Sequence, residues 1–573
     1  MKKKFKNLIK LPLLPVIILL LLIIPAFKDT ISVGYYPMHD DLQVMRQLIL
    51  DKCFRDGQIP CRWSEDMGYG FGYPLFNFYP PLPYYYGQLI HWLGASFTDT
   101  VKILVVLNFI VSGLAMYLLA KEFWGKWGGL IAAIFYVYAP YHSVDIYVRA
   151  AMNESWALAL FPLVFWSAYK LLDKNKWIFV PVVSLSMALV MLSHNPILMI
   201  FSPFAACWIL FWLIRIKNFK VIPKLLLSGF WAFGLAAFFT LPVIFEQQYV
   251  HVETLVIGYF NYLAHFATVN QLFISRFWGY GASKFGPDDG LSFQIGHLHW
   301  ILSLVSLIIS IKLYKKNRSA SLMILVVFTL TLFSAFMTHQ RSSFIWAMIP
   351  SLEYLQFPWR FLTLTIFGTS FLAGSFVLLF DNVRNKLKNL LFIVIISGSI
   401  FFYKDYFHWE RHWPWVNDQV KFSGELWNLQ IRAGIFDYLP KWAKLPPAGP
   451  PNGNAEMVSG EGQIKTLSKN SIKQEYDVEV KTGGVFQINT FYFPGWVYSV
   501  DNKSINIDPE EDKELGRPRI KLSPGKYFIS AKLVNTPIRT LGNTLSIISW
   551  LGLITAAVVY FKRRNIVFKN NEN

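Results

Sequence analysis

Two adjacent carboxylates, Asp40 and Asp41, follow His39 in the run YYPMHDDLQVMRQLILDKCFRDGQIPCRW. Apolar residues at Leu42, Met45, Leu48 and Ile49 recur at helical spacing, which predicts a short helix lying along a membrane with the acid pair at its start. One carboxylate there can act as N-cap, accepting a backbone N–H. Two of them beside a histidine also suit general-base work, in which a carboxylate takes the proton of an acceptor hydroxyl as it attacks an activated sugar. In VRAAMNESWALALFPL, Arg149 stands five residues before Glu154. A guanidinium can hold a phosphate bidentately, and the same two residues can instead satisfy each other as an ion pair. LSHNP sets His194 and Asn195 where one apolar run ends and Pro196 opens the next, as a polar site or as a tight turn capped by the Asn. YLQFPWRFL sets Trp359 beside Arg360, a second phosphate ligand or an arginine snorkelling next to an aromatic anchor.

Between these motifs lies GYGFGYPLFNFYPPLPYYY, in which Gly68, Gly70 and Gly72 alternate with aromatics and prolines follow. Such a tract offers faces for sugar rings or lipid chains, or forms an aromatic interface belt. Tyr79 from this tract and Arg46 from the first helix join His39, Arg149, Glu154, His194, Trp359 and Arg360 as the candidate substrate-binding set, with Asp40 and Asp41 as the catalytic candidates. Cys53 and Cys61 share one loop, where oxidation to a disulfide is open to them. Three cysteines without a CxxC disfavour a zinc ribbon, an iron-sulfur cluster and a thioredoxin-like site. His297 and His299 offer two metal ligands and no third fixed by spacing. No cofactor is therefore assigned, a divalent metal being the one possibility kept.

The elements that must hold these groups are apolar. Of 573 residues 54% are hydrophobic, 17% aromatic and only 16% charged, which excludes an ordinary soluble domain. The net charge of +19 is spread over short Lys/Arg clusters between apolar runs, so it reads as membrane topology and not as a nucleic-acid surface. No GxxxxGK[ST] or GxGxxG offers cytoplasmic nucleotide chemistry a home. At roughly 20 residues per span, about twelve spans are expected, near 8–27, 100–120, 127–142, 154–172, 177–193, 196–215, 223–245, 297–313, 320–337, 357–380, 388–403 and 541–561. A retained anchor with its N-terminus inside, followed by strict alternation, gathers the positive excess in the cytoplasmic loops and leaves both termini cytoplasmic in a multi-pass plasma-membrane protein. One more crossing would invert every later loop, so 84–95 is expected as an interfacial helix. The expected organisation is a transmembrane domain over 1–403 with an exported first loop at 28–99, an extracytoplasmic β-rich domain over 404–538, a last span at 541–561 and a cytoplasmic tail at 562–573. After LPPAGPPNGN, the stretches EYDVEV, GVFQINTFYF and KYFISAKLV alternate as strands of a small sandwich. Ionisable residues gather at the outer ends of spans, Glu246, His297 and His299 among them, and hardly at all in span interiors, which argues against ion-coupled transport.

The runs HDDLQVMRQ, GQIPCRW, GYGFGYPLFNFYPPLPYY, VRAAMNE, LSHNP, LQFPWRFL, GIFDYLPKW and FYFPGWVYSVD resemble the bacterial multispanning 6-pyruvoyl-tetrahydropterin synthase-related membrane proteins. These are similar in turn to glycosyltransferases of the C-type membrane fold. The scattered histidines do not reproduce the three-histidine zinc site of the soluble pterin synthase, so pterin chemistry is not expected. The wider resemblance implies a sugar donor on a polyprenyl phosphate, an outer-face active site and a catalytic Asp in the first exported loop, here Asp40 or Asp41. It makes Arg149 or Arg360 the phosphate ligand. The expected function is transfer of that sugar to a glycan, lipid or protein acceptor of the cell envelope, with membrane lipid as the medium and no nucleic-acid partner. The alternatives are a non-catalytic protein that binds or helps assemble envelope polymer, and a lipid-linked sugar transporter.

Overall fold

Where water is absent, a chain satisfies its backbone polar groups by becoming helical. The apolar runs expected to span are helical over their described residues in the computed structural model, which describes residues 13–284, 286–380, 384–434 and 437–571. The Lys-rich N-terminal segment, the start of the first apolar run and two residues of GIFDYLPKW lie outside the described residues. The helices that position the site are α1 (Gln43–Arg55), α2 (Leu82–Trp92), α3 (Phe97–Val137), α4 (Met152–Lys174), α5 (Asn195–Ile216), α6 (Ile222–Glu246), α7 (Gly424–Arg432) and α8 (Pro537–Asn571).

Eight helices among the described residues are long and apolar enough to cross a membrane, and three more apolar helices, Leu14–Ala26, Phe179–Met191 and His297–Leu313, are shorter. The expected spans 100–120 and 127–142 run together as α3, 41 residues interrupted only at Gly125 (φ 70°, ψ −175°). Hydropathy reads that break as a loop because Lys121, Glu122 and Lys126 flank it, whereas one glycine is enough to turn the backbone. The 11-residue α2 stays too short to span, as expected for 84–95. The basic loops meet one another: Lys170 pairs with Glu122 at 2.7 Å, Lys224 reaches Asn175, and Arg215 reaches Ser319.

The first loop is packed into the molecule. Val44, Met45, Gln47 and Leu50 of α1 are wholly buried, and α1 packs on α2 and α3 instead of lying exposed along a surface. Gly68, Gly70 and Gly72 all take positive φ, and a Cβ on Gly72 would stand 2.4 Å from the Trp63 ring. The tract they shape sends Phe71 and Phe78 into a core shared with the C-terminal strands, where Phe71 stacks on Phe491 at 5.3 Å. Those rings thus serve neither as a sugar platform nor as an interface belt. Cys53 and Cys61 are disulfide-bonded.

The C-terminal strands form a sandwich of two antiparallel sheets. β1 (Ala455–Ser459), β4 (Gly484–Ile488) and β7 (Arg519–Leu522) make one in the order β1-β4-β7; β2 (Gly462–Lys469), β3 (Lys473–Val480), β5 (Trp496–Val500), β6 (Lys503–Ile505) and β8 (Gly525–Leu533) make the other in the order β2-β3-β8-β5-β6. In β3, Tyr476, Val478 and Val480 alternate inward, as period-2 patterning requires. GVFQINTFYF leaves its strand after Ile488, and Phe491 and Phe493 pack against the first loop instead. The segment before the sandwich, 404–434, carries helices and no strand among its described residues, and it is strapped across the first loop. Asp418 accepts from the N–H groups of Phe97 and Thr98 at 2.8 Å each, capping α3, and Tyr35 pairs with Trp413.

Candidate active site

Backbone hydrogen bonds join the first two motifs. His39 N–H donates to Val148 O at 3.1 Å, Asp40 N–H to Arg149 O at 3.2 Å, and the Gln43 side chain to Ala150 O at 2.7 Å. HDD and VRAA are therefore neighbours in space although about a hundred residues separate them. Neither acid caps α1, whose N-cap Leu42 offers no side-chain acceptor. Asp40 Oδ2 accepts from Arg46 Nη1 at 2.6 Å and from Gln43 Nε2 at 3.2 Å. Arg46 Nη1 also donates to Tyr79 Oη at 3.0 Å, and its guanidinium lies 4.2 Å over the Tyr79 ring. Asp41 points elsewhere. Both its oxygens accept from Lys421 Nζ at 2.6 Å, and that lysine is 1% exposed. Burial pushes the Asp41 carboxyl up to about 6, against the pull of Lys421.

A second cluster forms at the mouth of α4. Glu154 Oε1 accepts from Tyr141 Oη at 2.7 Å, and Glu154 Oε2 accepts from Arg149 Nη2 at 2.9 Å and Arg360 Nε at 3.2 Å. Arg149 also pairs with Asp145, which burial and then Glu154 push well up. Arg360 Nη1 donates to Leu355 O and Gln356 Oε1. Arg149 Nε and Arg360 Nη2 are not consumed by these bonds among the described residues. The Arg149 guanidinium stacks 4.4 Å over Trp359, which in turn stacks on Phe357. His194, and not Asn195, caps α5: its Nδ1 accepts from Ile197 N–H at 3.1 Å. Burial and the Arg360 charge pull His194 down to about 3, so the ring is neutral and its proton sits on Nε2.

Both clusters line one cavity of about 470 Å³, as do His39, Asp40, Arg46, Tyr79 and His194. One flank of that cavity is apolar, made by Tyr259, Phe260, Tyr354 and Phe357. Asp41 is the one candidate outside it. Asp41 lines a second cavity of about 840 Å³, with Lys421, Gly434 and Pro446. His39, Asp40, Arg46 and Asp437 belong to the walls of both, and the Asp40 side chain stays 36% exposed. Asp437 was not singled out by spacing, although it sits in GIFDYLPKW as an isolated acid in an apolar run. Burial pushes it up to about 6, Arg46 pulls it down and Asp40 pushes it up.

Among the described residues no group of three or more His, Cys, Asp or Glu could hold a metal ion. His297 and His299 each use Nε2 on a backbone carbonyl, those of Ile274 and Phe135.

Among solved structures, the oligosaccharyltransferase of Archaeoglobus fulgidus in its apo form is 12% identical, over 70% of this chain and 56% of that one, with a TM-score of 0.41. The mycobacterial arabinofuranosyltransferase AftD is 13% identical over 68% of this chain and 26% of that one, with a TM-score of 0.41. An uncharacterised protein of Lactococcus lactis subsp. cremoris (strain MG1363) is 28% identical over 199 residues, 33% of this chain and 32% of that relative. The chain thus spans from about a quarter to a little over half of the length of these three proteins. Residues 76–405, more than half of the chain, match the domain described as 6-pyruvoyl-tetrahydropterin synthase related, a membrane protein. That stretch carries Tyr79, Arg149, Glu154, His194, Trp359 and Arg360, and by it the chain belongs to the 6-pyruvoyl-tetrahydropterin synthase-related membrane protein family.

Proposed function

We propose that the protein is an inverting glycosyltransferase that moves a sugar from a polyprenyl-phosphate donor to a cell-envelope acceptor on the extracytoplasmic face of the plasma membrane. The observation that carries this reading is the position of Asp40, on a wall shared by two cavities. One cavity holds Arg149, Arg360 and an apolar flank, which suits a lipid phosphate; the other, with Asp41, Lys421 and Gln430 in its wall, suits a hydroxylic acceptor. The donor phosphate lies against Arg149 Nε, Arg360 Nη2 and the Nε2–H of His194, donors that strengthen as the phosphate leaves. Its prenyl chain exits past Tyr259 and Tyr354, beside exposed Ile257, Leu263, Met348 and Ile349.

Asp40 takes the proton of the acceptor hydroxyl as the hydroxyl oxygen bonds to the sugar C1 and the C1–O bond to phosphate breaks. Arg46 and Gln43 hold the carboxylate in place from Oδ2, which sets its aim. Asp41, clamped by Lys421, positions the strap 404–434 and not the substrate. A lipid-borne donor is the chemical requirement of an outer-face site, because nucleotide sugars are made inside.

Purified protein in native lipid, given radiolabelled polyprenyl-phosphate sugars and total envelope acceptors, is expected to transfer label and release polyprenyl phosphate. Folded protein that binds these donors and transfers from none would point instead to a binding or assembly role.

A further inference from the structure

The 840 Å³ cavity does not end at Asp41. Tyr69 lines both it and a third cavity of about 370 Å³, whose walls include Trp427, Glu65, Asp66 and Lys469. One helix, α7, runs along the seam. Leu429 and Gln430 face the nearer cavity, Trp427 and Ile431 the farther one. Tyr69 is tied to that helix by its N–H, which donates to Ile431 O at 3.1 Å, and it holds a left-handed backbone (φ 58°) that a tyrosine rarely adopts.

Gln430 is 5% exposed. Its Nε2 donates to Lys421 O at 2.7 Å and Leu426 O at 3.0 Å, which fixes the amide and leaves Oε1 buried with no hydrogen-bond partner among the described residues. A buried acceptor left unfilled in a cavity wall is costly unless a ligand donates to it. The acids and bases along the seam balance: Asp40, Asp41 and Asp437 stand with Arg46, Lys421 and Arg432 on the nearer walls, and Glu65 and Asp66 with Lys469 on the farther, where Lys52 also pairs with Asp66 at 2.7 Å and Glu65 at 3.4 Å. Such a lining favours an uncharged ligand that brings many hydroxyl donors and flat C–H faces for Trp427 and Tyr69.

We propose that this seam is an extended acceptor groove for an uncharged glycan chain, with its growing end at Asp40 and its distal sugars between Tyr69 and Trp427. The proposal rests on the transferase reading for the direction of the chain and commits the acceptor to an oligosaccharide.

The test is binding without donor. Full-length protein in nanodiscs is titrated with end-labelled fluorescent fragments of one, two, four and six sugars from the cell's neutral envelope polysaccharide. The six-sugar fragment is expected to bind at least about tenfold more tightly than the single sugar. Trp427→Ala is expected to erase that gain and Trp427→Phe to keep it. Leu429→Trp, a plug at a partly exposed position, is expected to erase it as well and covers the case that Trp427→Ala misfolds. Equal affinity at every length, a gain that survives both lesions, no binding at all, or tighter binding of a labelled hexapeptide would overturn the groove. Adding donor separates the two readings. Transfer to a single-sugar acceptor as efficient as transfer to a long one removes the groove and leaves the transferase, whereas length-dependent binding with no transfer from any donor does the reverse.

Discussion

Glu154 and Glu246 are alike in sequence, each an acid at the end of a long apolar helix and each answered by arginine, yet they do opposite things. Glu246 Oε2 accepts from Asn77 and from Arg539 Nε at 2.8 and 2.9 Å, and Oε1 accepts from Thr536 at 2.6 Å; Glu246 and Arg539 are 3% and 1% exposed. No cavity described above reaches them. That cluster bolts α8 to α6 and to the aromatic tract. The Glu154 cluster binds two arginines as firmly, but it does so in a cavity wall and leaves N–H donors over. An acid at a span end is thus not evidence of chemistry; an arginine that the acid orients without exhausting is.

The difference can be broken from either side. Glu246→Ala leaves Arg539 charged and buried without its partner, which should cost about 3–5 kcal/mol of stability, read as a fall in thermal unfolding temperature in nanodiscs. The folded fraction should keep its specific activity, and a stable but inactive variant would erase the contrast. Arg149→Lys and Arg360→Lys keep the charge and lose the planar fork, so each should lower kcat/KM on the order of 10²-fold with little change in unfolding. His194→Asn keeps an N-cap for α5 and removes the Nε2–H. It should lower kcat/KM about tenfold, the worth of one hydrogen bond to a charged group, with KM for donor following.

The smallest effect concerns pH. Asp437 and Asp41 hold their protons in the folded state up to about 6, above the ordinary carboxylate value. Between about pH 4 and 6 the folded state therefore binds more protons than the unfolded one, and stability falls as pH rises through that window. Asp437→Asn should flatten that slope in unfolding curves taken across the window. An unchanged slope would show that Asp437 ionises normally.

The apolar helices were legible in the sequence because hydropathy and helical period report them directly, and so was the sandwich, whose inward side chains alternate in β3 and β8. The span ends of α3 were not, since one glycine bends a helix without ending it. Motif residues could be gathered into a set, but their geometry could not: only a backbone pairing of 39–40 with 148–149 brings Asp40 beside Arg149. The different surroundings of Asp40 and Asp41 were equally invisible. Asp41 is held by Lys421, some 380 residues away, on a strap whose path no local pattern announces. Asp437 escaped for the same reason, being a single acid that matters only because Arg46 and Asp40 lie across from it.

Transfer from radiolabelled polyprenyl-phosphate sugars, measured side by side for wild type, Asp40→Asn and Asp41→Asn in native lipid, tests the central claim most directly. Loss of transfer by on the order of 10²–10⁴-fold in Asp40→Asn, with Asp41→Asn within about tenfold of wild type, is the result this account requires. A folded Asp40→Asn protein that transfers at the wild-type rate, or one in which Asp41→Asn alone abolishes transfer, would contradict it.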